Sequence, residues 1–354
     1  MISSDQISVI IQGAIGAELN DCIRSVRKGL PKSEIILSTW EGSQLPDGLV
    51  VDACIFSPDP GARPAVKDGK LLNNTNRQLV STLAGLLRAS RPYALKLRTD
   101  FEIHHPGFIQ GFTTSDVRDP DYTLYKHKIV IPHYATRYPS PNSPSYPFHP
   151  SDLSLFGLRD DIIKHFDAPP LDEADWNWAL QHESEIIWDQ NLPLFLPRFA
   201  PEQHFFVHSL RAHGRTIDMR HYHDTRGDIA EQSRRYLVNN FVVLDMQDYG
   251  IRTRKSALAH AITKDINNCY SHNLYRAEYR KWCDPNARLT WQESLEARLT
   301  RRKRIHEKLV KHRIAMQQHA QLIFRPSDEG SFTHSHKMLA DAISCFYYFV
   351  RAIV

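Results

Sequence analysis

The sequence has no apolar run approaching the roughly 20 residues a membrane-spanning helix needs. It also has no GxxxxGK[ST] loop, no GxGxxG turn and no CxxC pair. Without the glycine-lysine loop or the dinucleotide turn, P-loop enzymes and nicotinamide or flavin enzymes both lose their phosphate-binding element. Gly13-Ala-Ile-Gly16 is the nearest glycine-rich piece, and its spacing suits neither. The five cysteines (Cys22, Cys54, Cys269, Cys283, Cys345) are odd in number and scattered. They point to free thiols in a reducing compartment, not to a disulfide framework or a zinc site. No internal repeat is visible, and a net charge of +4 over 354 residues is too mild to mark a nucleic-acid binder. The chain begins Met-Ile-Ser-Ser-Asp-Gln and enters a strand-like run at once, so we expect no secretory leader and a cytoplasmic location.

What is present is a globular composition, 42% hydrophobic and 24% charged, in a chain long enough for a substantial core. Ile7-Ser-Val-Ile-Ile-Gln-Gly13 reads as a buried parallel strand feeding a turn. Leu19, Cys22, Ile23 and Val26 mark a helix through Lys28, and Glu34 to Trp40 is a second strand, closing a βαβ unit. A third short strand is expected over Val50 to Ser57, a helix over Asn76 to Arg88, and a fourth strand over Tyr93 to Asp100. Strands alternating with helices predict an α/β fold, a mostly parallel sheet covered on both faces. Residues 104 to 150 are rich in His, Tyr, Pro and Ser and read as irregular loop around one strand, Lys128 to Pro132. Strand over Asp152 to Gly157, helix over Asp160 to Phe166 and a longer helix over Ala174 to Asn191 follow. We expect a first domain over residues 1 to 250 and a helical C-terminal extension over 251 to 354. The extension carries a basic helix near 301 to 313 and an amphipathic one from His336 to Val354.

In an open α/β sheet, ligands bind beyond the carboxyl ends of the strands. There the sequence offers Gln12-Gly13, Ser38-Thr-Trp40-Glu41, Asp52 at the edge of strand three, Asp59 and Arg98-Thr-Asp100. An Asp delivered at a strand's exposed end can ligate Mg²⁺ or Mn²⁺ bridging a diphosphate; it can equally cap a turn. Asn73, Asn74, Asn76, Arg77 and Gln78 open a helix that needs only one N-cap, which leaves amides and a guanidinium for sugar or phosphate.

Five pieces taken in order, Gln12-Gly13, Ile36-Leu-Ser-Thr-Trp-Glu-Gly42, Asp59-Pro-Gly61, Asn73-Asn-Thr-Asn-Arg-Gln78 and Lys96-Leu-Arg-Thr-Asp100, resemble the WavE lipopolysaccharide-synthesis family. That group is assigned to the GT-A glycosyltransferase superfamily. The resemblance covers about the first 160 residues well and extends more loosely to about 225. It implies a GT-A-like single Rossmann-type domain, a nucleotide-sugar donor, a divalent metal, and a glycan or lipid-linked glycan acceptor of lipopolysaccharide, O-antigen or capsule. It places Asp100 at the acidic position after strand four, although Arg98-Thr-Asp100 departs from the usual DxD and leaves Arg98 itself able to hold a phosphate. It puts Glu41 and Asp52 at base or ribose contacts and Glu202 at the downstream acidic site, a general base for the acceptor hydroxyl, with Asp152 and Glu185 as rivals. His223, in His221-Tyr-His-Asp224, would join Asp100 on the metal if the stretch is extended. The C-terminal helices offer a peripheral membrane contact. Two further readings stay open: a nucleotidyl- or phospho-sugar transferase, and a non-catalytic assembly protein of a glycan-synthesis complex.

Overall fold

The computed structural model describes residues 2–114, 116–139, 145–186, 194–253, 255 and 269–300. In chain order the elements are β1 (Ile7–Gln12), α1 (Leu19–Gly29), β2 (Glu34–Trp40), β3 (Ala53–Ser57), β4 (Arg63–Pro64), β5 (Leu72–Asn73), α2 (Thr75–Arg88), β6 (Tyr93–Arg98) and β7 (Phe101–Ile103). Then come α3 (Gly107–Gly111), β8 (Ile129–Pro132), β9 (Leu155–Leu158), α4 (Arg159–His165), α5 (Glu173–Trp176), α6 (Trp178–Gln181) and α7 (Pro201–Ala212). The last are α8 (Ile229–Asn240), β10 (Phe241–Leu244), α9 (Met246–Tyr249), β11 (Ile251–Thr253) and α10 (His272–Trp282).

The main sheet has seven strands in the order β10-β8-β9-β6-β1-β2-β3. It is a mixed α/β fold with a mostly parallel sheet; only β9 runs against its neighbours. Every residue of β1 is buried, as expected of a central parallel strand covered on both faces. The period of two sends Ser8, Ile10 and Gln12 toward α2, where Ser81 donates to Gln12 and Gly85 lies against Ile10. Lys96 is in register with Ile10, and Arg98 with Gln12. The strand that ends at Arg98 therefore carries its cations on the α2 side.

Two expectations change. The helix expected over Ala174 to Asn191 breaks into α5 and α6 around Asn177, whose side-chain amide bonds Glu173 instead of supporting a continuing helix. Trp176 is drawn away to the Pro64 carbonyl, while Trp178 stacks on His182. Residues 187–193 lie outside the described residues. The first compact unit takes residues 1–139 and 145–287 and so runs past 250. It does so because β11 pairs antiparallel with β7, and α10 packs on α8 and β10. The second unit is 140–144 with 288–354, of which residues 288–300 are described. The basic and amphipathic C-terminal helices expected beyond 300 lie outside the described residues.

Gly85 sets the distance between α2 and the sheet, since a Cβ there would overlap the Ile10 Cγ2 methyl, which its β-branched side chain cannot rotate away cheaply. Gly85→Val is expected to lower the unfolding free energy by roughly 2 kcal/mol, read from the denaturant midpoint. An unchanged midpoint would show that α2 can back off the sheet freely.

Candidate functional site

The carboxyl edge of the central strands opens because their exit turns are tied to one another. Gly13 leaves β1 with φ +122, a left-handed conformation that costs glycine little and a side chain more, and its N–H reaches the Ser38 carbonyl at 3.1 Å. Thr99, leaving β6, donates its N–H to the Gln12 carbonyl at 3.3 Å and its hydroxyl to the Ala14 carbonyl at 2.9 Å. Between these turns and the start of α2 lies a cleft of about 300 Å³. Gln12, Gly13, Trp40, Arg77, Arg98 and Asp100 all line it, so the structure brings together six of the residues marked in the sequence.

The cleft is cationic. Among the described residues Asp100 is the one carboxylate on its wall, against Arg77, Arg98 and Lys255. Both oxygens of Asp100 accept from the Arg98 fork, at 2.9 and 2.7 Å, and Lys255 Nζ stands 3.1 Å from the second. Burial works against the charge of Asp100, which is 4% exposed, but Arg98 and Lys255 outweigh it and hold the carboxyl below its usual range. Arg77 is oriented by its own bidentate pair with Asp59, at 2.7 and 2.5 Å. Beside it the Gln78 side-chain oxygen is buried without a hydrogen-bond partner. Cation forks and an unsatisfied amide on one small concave surface suit an anion with hydroxyl or N–H donors.

A divalent cation fits this donor set poorly. Asp100 spends its oxygens on the two cations, and among the described residues no three His, Cys, Asp or Glu side chains gather as a metal site. His223 sits in a turn, not an extended stretch: its N–H donates to His221 Nδ1 at 3.3 Å. The His223 ring packs on Tyr146 and Tyr222, with centroids 4.6 and 4.5 Å away.

Four other marked residues are placed elsewhere. Asp52 lies at the amino edge of the sheet, opposite the cleft, where it accepts from Ile35 N–H and Arg27, both at 2.7 Å. Asn73 accepts from the N–H and hydroxyl of Thr75, at 2.7 and 2.6 Å, in a turn that leads into α2. Asn76 exchanges two hydrogen bonds with the backbone of Leu171, at 3.1 and 2.7 Å, pinning that loop. Glu41 is exposed past β2 and off the cleft wall.

Asp152 and Glu202 meet in a buried cluster next to Arg98, whose guanidinium feels both charges. Lys96, two residues back on the same face of β6, is fully buried and donates to the Asp152 carbonyl oxygen. The Asp152 carboxyl is pushed up to about 6, first by burial and then by Glu202, and its Oδ2 has no hydrogen-bond partner. Glu202, in the first turn of α7 behind Pro201, is raised by burial as well; its side chain is 15% exposed. His149 Nε2 stands 3.4 Å from Glu202 Oε2. A carboxyl held near neutrality beside buried cations has the chemistry an acid or base needs.

A family model described as WavE lipopolysaccharide synthesis matches residues 7–306. The chain belongs to this family. No curated protein matches it. The WavE match extends beyond the motif-bearing first 160 residues and takes in α7, β11 and α10, so the cleft and the Asp152–Glu202 cluster both fall inside it. Lys255 and His149 went unmarked in the sequence, and Lys96 and Thr99 stood there only as members of Lys96-Leu-Arg-Thr-Asp100, without roles of their own. Lys96 had a signal, since it shares strand parity with Arg98, whereas Lys255 had none, because a long-range strand pairing brings it to the cleft.

The raised Asp152 carboxyl makes the folded state hold its proton longer than the unfolded chain does, so its effect on stability falls as pH rises from about 4 through 6. Asp152→Asn should therefore gain stability relative to the wild-type chain between pH 4 and pH 7, by on the order of 2 kcal/mol, in paired denaturations. A difference independent of pH would contradict the shift.

Proposed function

We propose that the chain is a glycosyltransferase of lipopolysaccharide synthesis that takes a sugar from a nucleoside diphosphate donor held in the cleft. The observation that carries this reading is the cationic wall formed by Arg77, Arg98 and Lys255 at the carboxyl edge of a Rossmann-like sheet. A diphosphate is the ligand whose charge such a wall offsets best. Trp40, Gln12 and Gln78 supply a ring face and amides for the sugar or the base. Membership of a family named for lipopolysaccharide synthesis supports the acceptor class.

In this mechanism the bond from the anomeric carbon to the diphosphate oxygen breaks while the acceptor hydroxyl oxygen bonds to that carbon. Arg98 and Lys255 stabilise the negative charge arriving on the leaving diphosphate, and Arg77 orients its outer phosphate. Asp100 acts by holding Arg98 and Lys255 in place. Glu202, the more exposed of the buried pair, takes the acceptor proton, and Asp152 keeps it basic through like-charge repulsion. No step here uses the expected Mg²⁺ or Mn²⁺. Among the described residues no helix is long and apolar enough to cross a membrane. We place the reaction on the cytoplasmic side, with a lipid-linked acceptor.

Calorimetry with a panel of nucleoside diphosphates tests the cleft. Arg98→Ala and Lys255→Ala should each weaken binding about tenfold or more, the worth of one charge-assisted contact, and EDTA should leave the wild-type affinity unchanged. A strict Mn²⁺ requirement would return Asp100 to a metal, and absence of any nucleotide binding would favour an assembly role. Asp100→Asn should cut donor hydrolysis by about a hundredfold with the fold intact; undiminished turnover would refute its placement. Release of pyrophosphate or a nucleoside monophosphate in place of the diphosphate would identify a nucleotidyl- or phospho-sugar transferase.

A further inference from the structure

Glu202 has a neighbour whose orientation is fixed from several sides. His149 is buried, and its Nδ1 lies 2.8 Å from the Ala135 carbonyl oxygen. A carbonyl only accepts, so Nδ1 carries the ring proton and donates it, and Nε2 of the neutral ring presents a lone pair. That lone pair faces Glu202 Oε2 at 3.4 Å, a long contact suited to two acceptors with no proton between them.

The backbone around the ring is strained into place. Among the described residues, Ala135 (φ 64) and Phe148 (φ 54) are the non-glycine residues with positive φ, a region that L side chains enter at a cost. One carries the carbonyl that receives His149; the other immediately precedes it. Phe148 is held by its N–H to Ser233 Oγ at 2.6 Å and by its buried ring against Phe206 and Tyr236. The His149 carbonyl accepts from Arg137 N–H at 2.9 Å. Strain kept on both sides of one histidine marks a ring whose direction matters.

We propose that His149 is a positioning residue for the proton transfer: once Glu202 has taken the acceptor's proton, the Nε2 lone pair accepts a hydrogen bond from the Glu202 carboxyl. This inference rests on the reading of Glu202 as the base. The acceptor O–H bond breaks and its proton goes to Glu202; the electron pair left on oxygen bonds the anomeric carbon, and the pair of the old glycosidic bond leaves with the diphosphate. His149 stabilises the protonated carboxyl and keeps its own proton on Nδ1. Burial, with Arg137 beside it, pushes the imidazole down to about 4, against the pull of Asp152, so the ring stays neutral at neutral pH. Glu202 also faces Arg137, Lys96, Arg98 and Asp152, which act on the same proton.

The test uses the full chain, with water as acceptor and the nucleotide sugar that the wild-type protein hydrolyses from a UDP-, GDP- and dTDP-sugar panel. His149→Phe should lower kcat about tenfold and move the acidic limb of the pH profile, where Glu202 loses its proton, to lower pH, with affinity for the nucleoside diphosphate unchanged. His149→Gln, whose amide oxygen still accepts, should recover part of the rate. An unchanged limb in both variants would overturn the proposal. Imidazole ¹⁵N NMR of the wild-type chain should show His149 protonated at Nδ1 and bare at Nε2, with the Nε2 signal moving as Glu202 titrates and still in Glu202→Gln. An Nε2-protonated ring, or a signal indifferent to Glu202→Gln, would overturn the proposal even if no sugar is transferred. Absence of hydrolysis with all three donors and an Nε2 signal that follows Glu202 would instead sink the glycosyltransferase reading and leave the His149–Glu202 pair standing.

Discussion

The bidentate pairing of Arg98 with Asp100 organises the candidate site. An arginine at the end of a strand would swing toward solvent, and a lone buried carboxylate would lose its charge; each is fixed by the other. The fork spends the carboxylate, which is why the cleft reads as an anion cradle and not as a metal floor. It also leaves the outer edge of the guanidinium turned to the cavity, with Lys255 beside it. Arg77 repeats the device with Asp59 across the cleft. Two arginines, each aligned by its own acid, form a surface arranged before any ligand arrives.

Behind that surface the same strand supplies a second layer. Lys96 and Arg98 share a face of β6, and both act on Asp152 and Glu202. The two carboxyls reach that place by different routes, Asp152 just ahead of β9, which pairs with β6, and Glu202 from the first turn of α7. Cationic cleft and buried acids are thus coupled through one short length of strand. Charge in the first layer is felt by the proton equilibrium in the second.

Much of this was legible in the residues. The βαβ opening, the α2 helix and the strand ending at Arg98 follow from apolar periodicity, because each buries a regular stripe or run. Gln12, Trp40, Arg98 and Asp100 were marked since strand ends in a parallel sheet must converge, and Arg77 because a helix start needs only one cap. Asp52 misled because a strand's first and last polar residues look alike until its true start is known; β3 begins at Ala53, which leaves Asp52 at the amino edge. Asn73 and Asn76 misled because spare amides near a helix start can serve a turn two residues on, as Asn73 does with Thr75, or distant backbone, as Asn76 does with Leu171, as readily as a ligand. Lys255 and His149 stayed hidden because their neighbours are remote in sequence, and no local pattern announces a pairing such as β7 with β11.

That pairing has a consequence for how the molecule is made. The strands and α2 that shape most of the cleft are complete by Asp100, yet Lys255 arrives only when β11 has closed on β7 across about 150 residues of intervening chain. A cleft built from the residues up to Asp100 alone lacks one of its three cations, and in synthesis that cation comes only with the segment after residue 250. Competence of the cleft is therefore a late event in maturation, and it reports that the chain has closed.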